Sequence, residues 1–147
     1  MTIPWPLIRR DISHAIALAA VCCITGVCIL ASPLWARADL ANFPEAGLND
    51  VASPREGTRI VDARAQSKYA AGHIPGAVSL PLDDFETAFS QVSERLSGSR
   101  IIVYCSSYDC KDSLILAGKL RERGWSELLV FRAGWEEWEA AGLPTEQ

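Results

Sequence analysis

The chain has 147 residues, of which 49% are hydrophobic, and its formal net charge is −4. This length fits roughly one globular domain with enough apolar side chains for a core. The part that follows Ala38 carries 11 basic and 17 acidic residues, a net charge of about −6. Because nucleic acids are polyanions, this charge argues against them as partners.

An apolar run lies near the amino terminus. Ile12–Ala36 contains no Asp, Glu, Lys or Arg, and at about 1.5 Å per residue a helix of this length crosses the hydrocarbon layer. Arg9 and Arg10 precede the run, whereas acidic residues follow it, which predicts the amino end inside the cell. We therefore predict that residues 1–38 anchor the chain as a single pass in the cell membrane, with the remainder on the extracytoplasmic, periplasmic side.

A cleaved signal peptide is the alternative for the same segment. Ala36-Arg37-Ala38 is a small-x-small triplet of the kind that signal peptidase cuts, and cleavage after Ala38 would release a periplasmic domain. The apolar run exceeds the usual length of a signal-peptide core, which favours the retained anchor. Both alternatives export the domain.

Residues 39–56 are rich in Pro, Gly, Asn and Asp, lack hydrophobic periodicity, and are predicted to be a linker.

Residues 57–147 are predicted to form the folded domain. The predicted strands are Arg59–Arg64, Ala77–Leu80, Ile101–Tyr104 and Leu128–Phe131, and the predicted helices are Gln66–Ala71, Asp83–Leu96 with capping-box spacing at Asp83–Glu86, Leu114–Arg123 and Trp135–Ala141. Short apolar strands that alternate with helices predict an α/β fold, a small parallel sheet with helices on both faces.

Cys105 ends the apolar run Ile101–Tyr104, and a short polar loop connects it to the next helix. Sites in parallel sheets lie beyond the carboxyl ends of the strands. The free amides and the dipole of a first helical turn favour an anion, and so favour thiolate over thiol. Cys105 is therefore a candidate nucleophile, and the alternative is a small buried side chain at a strand end.

Several segments resemble the rhodanese family of sulfurtransferase domains. They occur in the family's order: Ile60–Arg64, Tyr69–Ala77, Val103–Cys105, and Ala133–Trp138 with Gly142-Leu143-Pro144. The segment Tyr69–Ala77 is the most specific of these matches. The resemblance covers roughly Gly57–Pro144.

This resemblance implies that Cys105 takes a sulfane sulfur from a donor such as thiosulfate or a polysulfide and holds it as a persulfide. The acceptor it implies is cyanide, a small thiol or a protein thiol. The residues expected to line the substrate site are Ser106, Ser107, Tyr108, Asp109, Cys110, Lys111 and Arg64. No cofactor is expected, and the spacing of Cys, His and Asp predicts no metal site.

The loop after Cys105 departs from the commonest family pattern, which ends in a basic residue at the sixth place. Here Cys110 is sixth and Lys111 seventh. Phosphatase relatives need arginine at that seventh place, because its planar fork holds two oxygens whereas lysine is a point charge. Asp109 and Asp112 add negative charge near the thiol, which opposes thiolate formation and repels dianionic thiosulfate, so a persulfide or polysulfide donor is favoured.

Three questions stay open at this stage. Cys110 either pairs with Cys105, acts as a resolving thiol, or packs under the loop. Arg64 either lines the site or forms a structural pair with Asp62. The protein is either a sulfurtransferase, a non-catalytic rhodanese-like binding module, or a thiol redox protein that uses Cys105 and Cys110.

Overall fold

The computed structural model describes residues 42–147. Within that range the chain forms four strands, five α-helices and one 3-10 turn. In chain order these are α1 (Leu48–Ala52), β1 (Thr58–Asp62), α2 (Gln66–Ala71), β2 (Val78–Ser79), the 3-10 turn (Leu82–Asp84), α3 (Phe85–Leu96), β3 (Arg100–Tyr104), α4 (Asp112–Glu122), β4 (Leu128–Phe131) and α5 (Gly134–Ala140).

The four strands form one parallel sheet in the order β2-β1-β3-β4. β1 and β3 are central, and their register pairs Asp62 with Tyr104. Both strands therefore end at the same edge of the sheet, where parallel sheets present their sites. The predicted small parallel α/β sheet is confirmed.

Helices cover both faces of this sheet because alternate strand residues point to opposite sides. On one face, Val61 and Val103 pack with apolar residues of α3 and α4. On the other face, Ile60 and Ile102 pack with residues that include Trp138 of α5. Burial on both faces explains the nearly continuous apolar composition of β3.

The predicted start of α3 is wrong in one detail. The sequence predicted a capping box at Asp83–Glu86, but no side chain caps the amino end of α3. The 3-10 turn Leu82–Asp84 precedes the helix and moves the cap position to Asp84. Asp84 and Glu86 are only two residues apart, so the reciprocal capping geometry cannot form.

The part of the predicted linker that the structure describes packs against the domain. Glu45 forms a parallel bridge with Val130 of β4, and the Ala46 amide donates a 3.0 Å hydrogen bond to the Val130 carbonyl. Val51 of α1 is buried. A helix of five residues is too short to produce a hydrophobic period, so no periodicity in the sequence predicted it.

The predicted membrane anchor or signal peptide at residues 1–38, and its cleavage point after Ala38, lie outside the described residues. Among the helices of residues 42–147, none has the length and apolar character needed to span a membrane.

Candidate functional site

Cys105 lies immediately after β3, at the edge of the sheet where β1 and β3 both end. Only 2% of its surface is exposed. The residues that follow it, Ser106 to Lys111, form one continuous loop that leads to α4. The structure thus places the predicted nucleophile and six of the seven predicted substrate-binding residues in a single loop.

Cys105 and Cys110 form a disulfide, with a distance of 6.2 Å between their Cα atoms. Cys110 is only partly buried, whereas Cys105 is buried. Of the alternatives that the sequence left open for Cys110, the structure favours pairing with Cys105.

Helix α5 holds the first part of the loop. The Cys105 carbonyl accepts a 2.9 Å hydrogen bond from the Trp135 amide, and the Ser106 carbonyl accepts a 3.0 Å bond from the Glu136 amide. This close approach requires glycine at position 134, which has φ +64°, because a Cβ there would lie 2.3 Å from the Cys105 carbonyl oxygen. Gly134 therefore lets α5 fix the backbone of the nucleophile.

The amides inside the loop have few partners. The Cys110 amide donates a 3.1 Å hydrogen bond to the Ser107 carbonyl. Within residues 42–147, no acceptor is hydrogen-bonded to the amides of residues 106–109. The loop therefore retains backbone donors that the protein itself does not use.

Negative charge also lies beside the reactive sulfur. A carboxylate oxygen of Asp112, at the start of α4, is 3.9 Å from the Cys105 Sγ atom. Asp109 and Lys111 are both exposed on the loop. The nearest charge to the sulfur is therefore acidic, which disfavours highly charged anions close to Cys105.

A cleft of about 270 Å³ opens at this edge of the sheet. Its lining consists of Ala63, Ala65, Leu82, Asp83 and Asp112. A larger cavity, about 600 Å³, lies at the opposite edge, near the amino ends of the strands, and no cysteine lines it. We assign the smaller cleft to the site, because it shares Asp112 with the surroundings of Cys105.

Arg64, the seventh predicted substrate-binding residue, is buried instead in a network of protein contacts. Its guanidinium donates hydrogen bonds of 2.7 and 3.0 Å to Asp62 and one of 2.7 Å to the Gly72 carbonyl. It also stacks 4.5 Å from the Trp135 ring centroid. With only 4% of the residue exposed, the structure favours the structural alternative for Arg64 over substrate binding.

Tyr104 completes this network, because its hydroxyl donates a 2.5 Å hydrogen bond to Asp62. Burial, the negative charge of Asp62 and this hydrogen bond raise the pKa of Tyr104 above its ordinary value. Burial alone would lower the pKa of Arg64, but the hydrogen bond and charge of Asp62 outweigh it and raise that pKa. Tyr104 thus keeps its hydroxyl proton and Arg64 its positive charge, the states in which each of them donates to Asp62.

The tip of the loop contacts two residues that the sequence analysis did not single out. The hydroxyl of Tyr108 donates a 2.7 Å hydrogen bond to Glu45, and Arg132 donates one of 3.1 Å to the Tyr108 carbonyl. The hydrogen bond to Glu45, followed by the charge of Glu45, raises the pKa of Tyr108. No local sequence signal could have identified these contacts, since 63 and 24 positions separate the partners.

One group of side chains has the composition of a metal site. The possible ligand atoms of Cys105, Cys110 and Asp112 all lie within 4.8 Å of one another. Within residues 42–147 this is the one group of three or more His, Cys, Asp or Glu side chains with such spacing. Both sulfur atoms are engaged in the disulfide. Because thiolate is the form that binds metals, the group cannot act as a metal site in this state.

The sequence model of the rhodanese-like domain family matches residues 46–141. An HTH-type transcriptional regulator of Mycobacterium tuberculosis is 31% identical in an alignment over 123 residues that covers 80% of this chain and 52% of the regulator. The chain thus spans about half the length of that relative.

Two solved structures illustrate the fold. A rhodanese-like domain from Anabaena sp. superposes with a TM-score of 0.55 and 27% identity, covering 67% of this chain and 71% of that chain. A thiosulfate sulfurtransferase from Pseudomonas aeruginosa superposes with a TM-score of 0.58 and 23% identity, covering 77% of this chain and 22% of that chain. At this identity, the second likeness concerns the fold alone.

Proposed function

The chain belongs to the rhodanese-like domain family, and from this we propose that it is a sulfurtransferase that carries a sulfane sulfur as a persulfide on Cys105. The observation that carries the proposal is the place of Cys105, which follows the central strand β3 and heads a loop with free amides. Those amides can stabilise both a thiolate and an anionic persulfide.

The transfer needs two displacements at sulfur. The Cys105 thiolate attacks the sulfane sulfur of the donor, the sulfur–sulfur bond of the donor breaks, and the remainder leaves, as sulfite when the donor is thiosulfate. Cyanide or a thiolate then attacks the outer sulfur of the persulfide and regenerates the Cys105 thiolate. Neither displacement requires a positioned general base, so this chemistry needs no histidine hydrogen-bonded to Cys105.

We propose a polysulfide or a low-molecular-weight persulfide as the preferred donor. Thiosulfate is a dianion, and the Asp112 carboxylate lies 3.9 Å from the Cys105 sulfur. Repulsion between them weakens binding of the dianion. Lys111 offsets this only in part, because it is exposed on the loop and screened by solvent.

We propose that the domain works on the extracytoplasmic side of the cell membrane. The support for this location is the uncharged run Ile12–Ala36 and the arginine pair that precedes it. The released form after cleavage at Ala38 would work in the same compartment. An oxidising compartment is also where the Cys105–Cys110 disulfide would persist.

A thiol redox activity is the second candidate, and the disulfide favours it. A dithiol pair at the end of a strand can exchange with an external disulfide without any sulfane sulfur. The two candidates differ in what they require of Cys110. Sulfur transfer to an added acceptor needs only Cys105, whereas a dithiol cycle needs both cysteines.

The test is a steady-state transfer assay on the full chain, purified in detergent and kept reduced by an added thiol. Thiocyanate is measured after addition of cyanide and either thiosulfate or a polysulfide, for the wild type, Cys105→Ser and Cys110→Ser. We expect transfer by the wild type and by Cys110→Ser and no transfer by Cys105→Ser. Transfer that survives Cys105→Ser would contradict the proposal, and no transfer by any of the three proteins would favour the thiol redox candidate.

A further inference from the structure

We infer that Cys110 is a resolving thiol that converts the persulfide on Cys105 into sulfide. This inference rests on the proposed function, since it needs a sulfane sulfur on Cys105. It adds a second outcome for that sulfur. Besides passing it to an external acceptor, the site reduces it with electrons from its own two thiols.

The first support is the reach of Cys110. The disulfide joins the Cys105 and Cys110 sulfur atoms directly while the loop occupies its place between β3 and α4. The Cys110 sulfur can therefore reach the Cys105 Sγ atom, which is the inner sulfur of a persulfide on that residue. Attack on the inner sulfur expels the outer one as hydrosulfide, whereas attack on the outer sulfur would only move it to Cys110.

The second support is the way the loop backbone is held. The carbonyls of Cys105 and Ser106 are bound by amides of α5, and the Cys110 amide is bound by the Ser107 carbonyl. None of these bonds involves the disulfide, so they remain available when it is reduced. A thiol held in this way acts at a high effective concentration, far above that of a dissolved thiol.

The third support is the charge beside Cys105. The Asp112 carboxylate lies 3.9 Å from the Cys105 Sγ atom, and among residues 42–147 no Lys, Arg or His forms an ion pair with Asp112. A neighbouring like charge raises the free energy of an anionic persulfide. When the persulfide is converted into a neutral disulfide, the negative charge leaves with the hydrosulfide anion. The repulsion between the persulfide and Asp112 is then removed.

The step balances as written. The Cys110 thiol and the Cys105 persulfide anion react to give the Cys105–Cys110 disulfide and one hydrosulfide anion, and the thiol proton leaves on the hydrosulfide. The bond between the two sulfurs of the persulfide breaks, and the disulfide bond forms. The sulfane sulfur is reduced by two electrons, which the two cysteine sulfurs supply. A thiol reductant, either a dithiol protein or a small thiol, then reduces the disulfide and resets the site.

This reaction is tested in a single turnover of the reduced full chain with polysulfide and no acceptor. Cys22, Cys23 and Cys28 are replaced by serine in every variant, so that only the site can hold sulfur. Free sulfide is measured over time. Alkylation and digestion with trypsin then give the peptide Ile101–Lys111, which contains both site cysteines. The variants are the otherwise unchanged chain, Cys110→Ser and Cys105→Ser.

We expect the unchanged chain to release one sulfide per chain and to end with a peptide that has lost two hydrogen atoms. Cys110→Ser should instead keep one added sulfur and release sulfide about tenfold or more slowly. Equal sulfide release by both, or a stable persulfide in both, would overturn the resolving role and leave the sulfurtransferase proposal standing. No added sulfur in Cys110→Ser would mean that the sulfurtransferase proposal itself fails.

Discussion

The neighbouring strands β1 and β3 end side by side, yet their ends are built in opposite ways. At the end of β1, Asp62 and Arg64 are buried and hydrogen-bonded to each other, and Tyr104 donates a further hydrogen bond to Asp62. At the end of β3, the loop after Cys105 has four amides without acceptors in the described structure and an acidic side chain beside the sulfur.

The two strand ends show how hydrogen bonding separates structural groups from groups that are available to a ligand at one edge of a sheet. Charged groups whose hydrogen bonds are filled by the protein cannot bind a ligand without first losing those bonds, which is costly when they are buried. Donors that lack partners are the ones that a ligand can use. By this criterion the end of β1 supports the fold, and the end of β3 is where a ligand can bind.

The largest effect should come from Asp62→Ala. This substitution leaves the Arg64 guanidinium buried without its carboxylate, and breaking a buried pair in this way costs about 3–5 kcal/mol of unfolding free energy. Urea denaturation measures the loss. The matched control is Glu86→Ala, which removes the exposed ion pair with Arg123 and should cost less than about 1 kcal/mol. Equal losses in the two variants would show that the end of β1 is not a structural centre.

The next effect should come from Gly134→Ala, with Gly98→Ala as its control. Both glycines have a positive φ, +64° and +68°, but only a Cβ at position 134 meets backbone atoms, those of Cys105 and Ser106. Gly98→Ala should cost about 1–2 kcal/mol from its backbone conformation alone. Gly134→Ala should cost about 1–3 kcal/mol more and should also reduce sulfur transfer, because the loop must shift. Urea denaturation measures the loss of stability in the two variants, and the transfer assay measures their activity. Full transfer activity in Gly134→Ala would contradict the role of α5 in holding the loop.

A smaller effect is expected from Tyr104→Phe, which removes one hydrogen bond to Asp62 and should cost about 1–3 kcal/mol at neutral pH. The pKa of Tyr104 is raised in the folded protein, so the folded state holds this proton more tightly than the unfolded state. Its contribution is complete below the ordinary tyrosine pKa of about 10 and is lost as the pH rises above it. The difference in stability between wild type and Tyr104→Phe should therefore narrow at alkaline pH, and a constant difference would contradict the buried network.

The smallest effect on stability should come from Tyr108→Phe. The side chain is exposed, and its hydrogen bond to Glu45 competes with water, so the expected loss of unfolding free energy is smaller than in any of the other variants. The same urea titration measures it. A loss as large as that of Tyr104→Phe would mean that the loop tip is held as firmly as the end of β1, and the contrast between the two strand ends would be lost.

Much of the fold could be predicted because its signals are local. The bounds of α2 and β4 agree with the sequence prediction residue for residue. The apolar run of β3 and the polar loop after it place Cys105 at the sheet edge without any knowledge of the tertiary structure. The Asp62–Arg64 pair was also within reach of the sequence, because the two residues are only two positions apart.

The remaining features depend on strand register and on distant contacts. Tyr104 meets Asp62 only because β1 pairs with β3 in one particular register. The need for glycine at position 134 follows from the approach of α5 to the Cys105 carbonyl, which no local pattern encodes. Likewise, the contact of Glu45 with Tyr108 depends on where residues 45–46 join β4.

The most direct test of Cys105 as the sulfur carrier uses the reduced full chain with Cys110→Ser, in which the persulfide is retained. The protein is treated briefly with polysulfide and alkylated, and the mass of the peptide Ile101–Lys111 is measured. We predict one added sulfur, located on Cys105 by fragmentation of the peptide and absent when Cys105→Ser is also introduced. A peptide with no added sulfur, or with sulfur elsewhere than on Cys105, would contradict the assignment of Cys105 as the sulfur carrier.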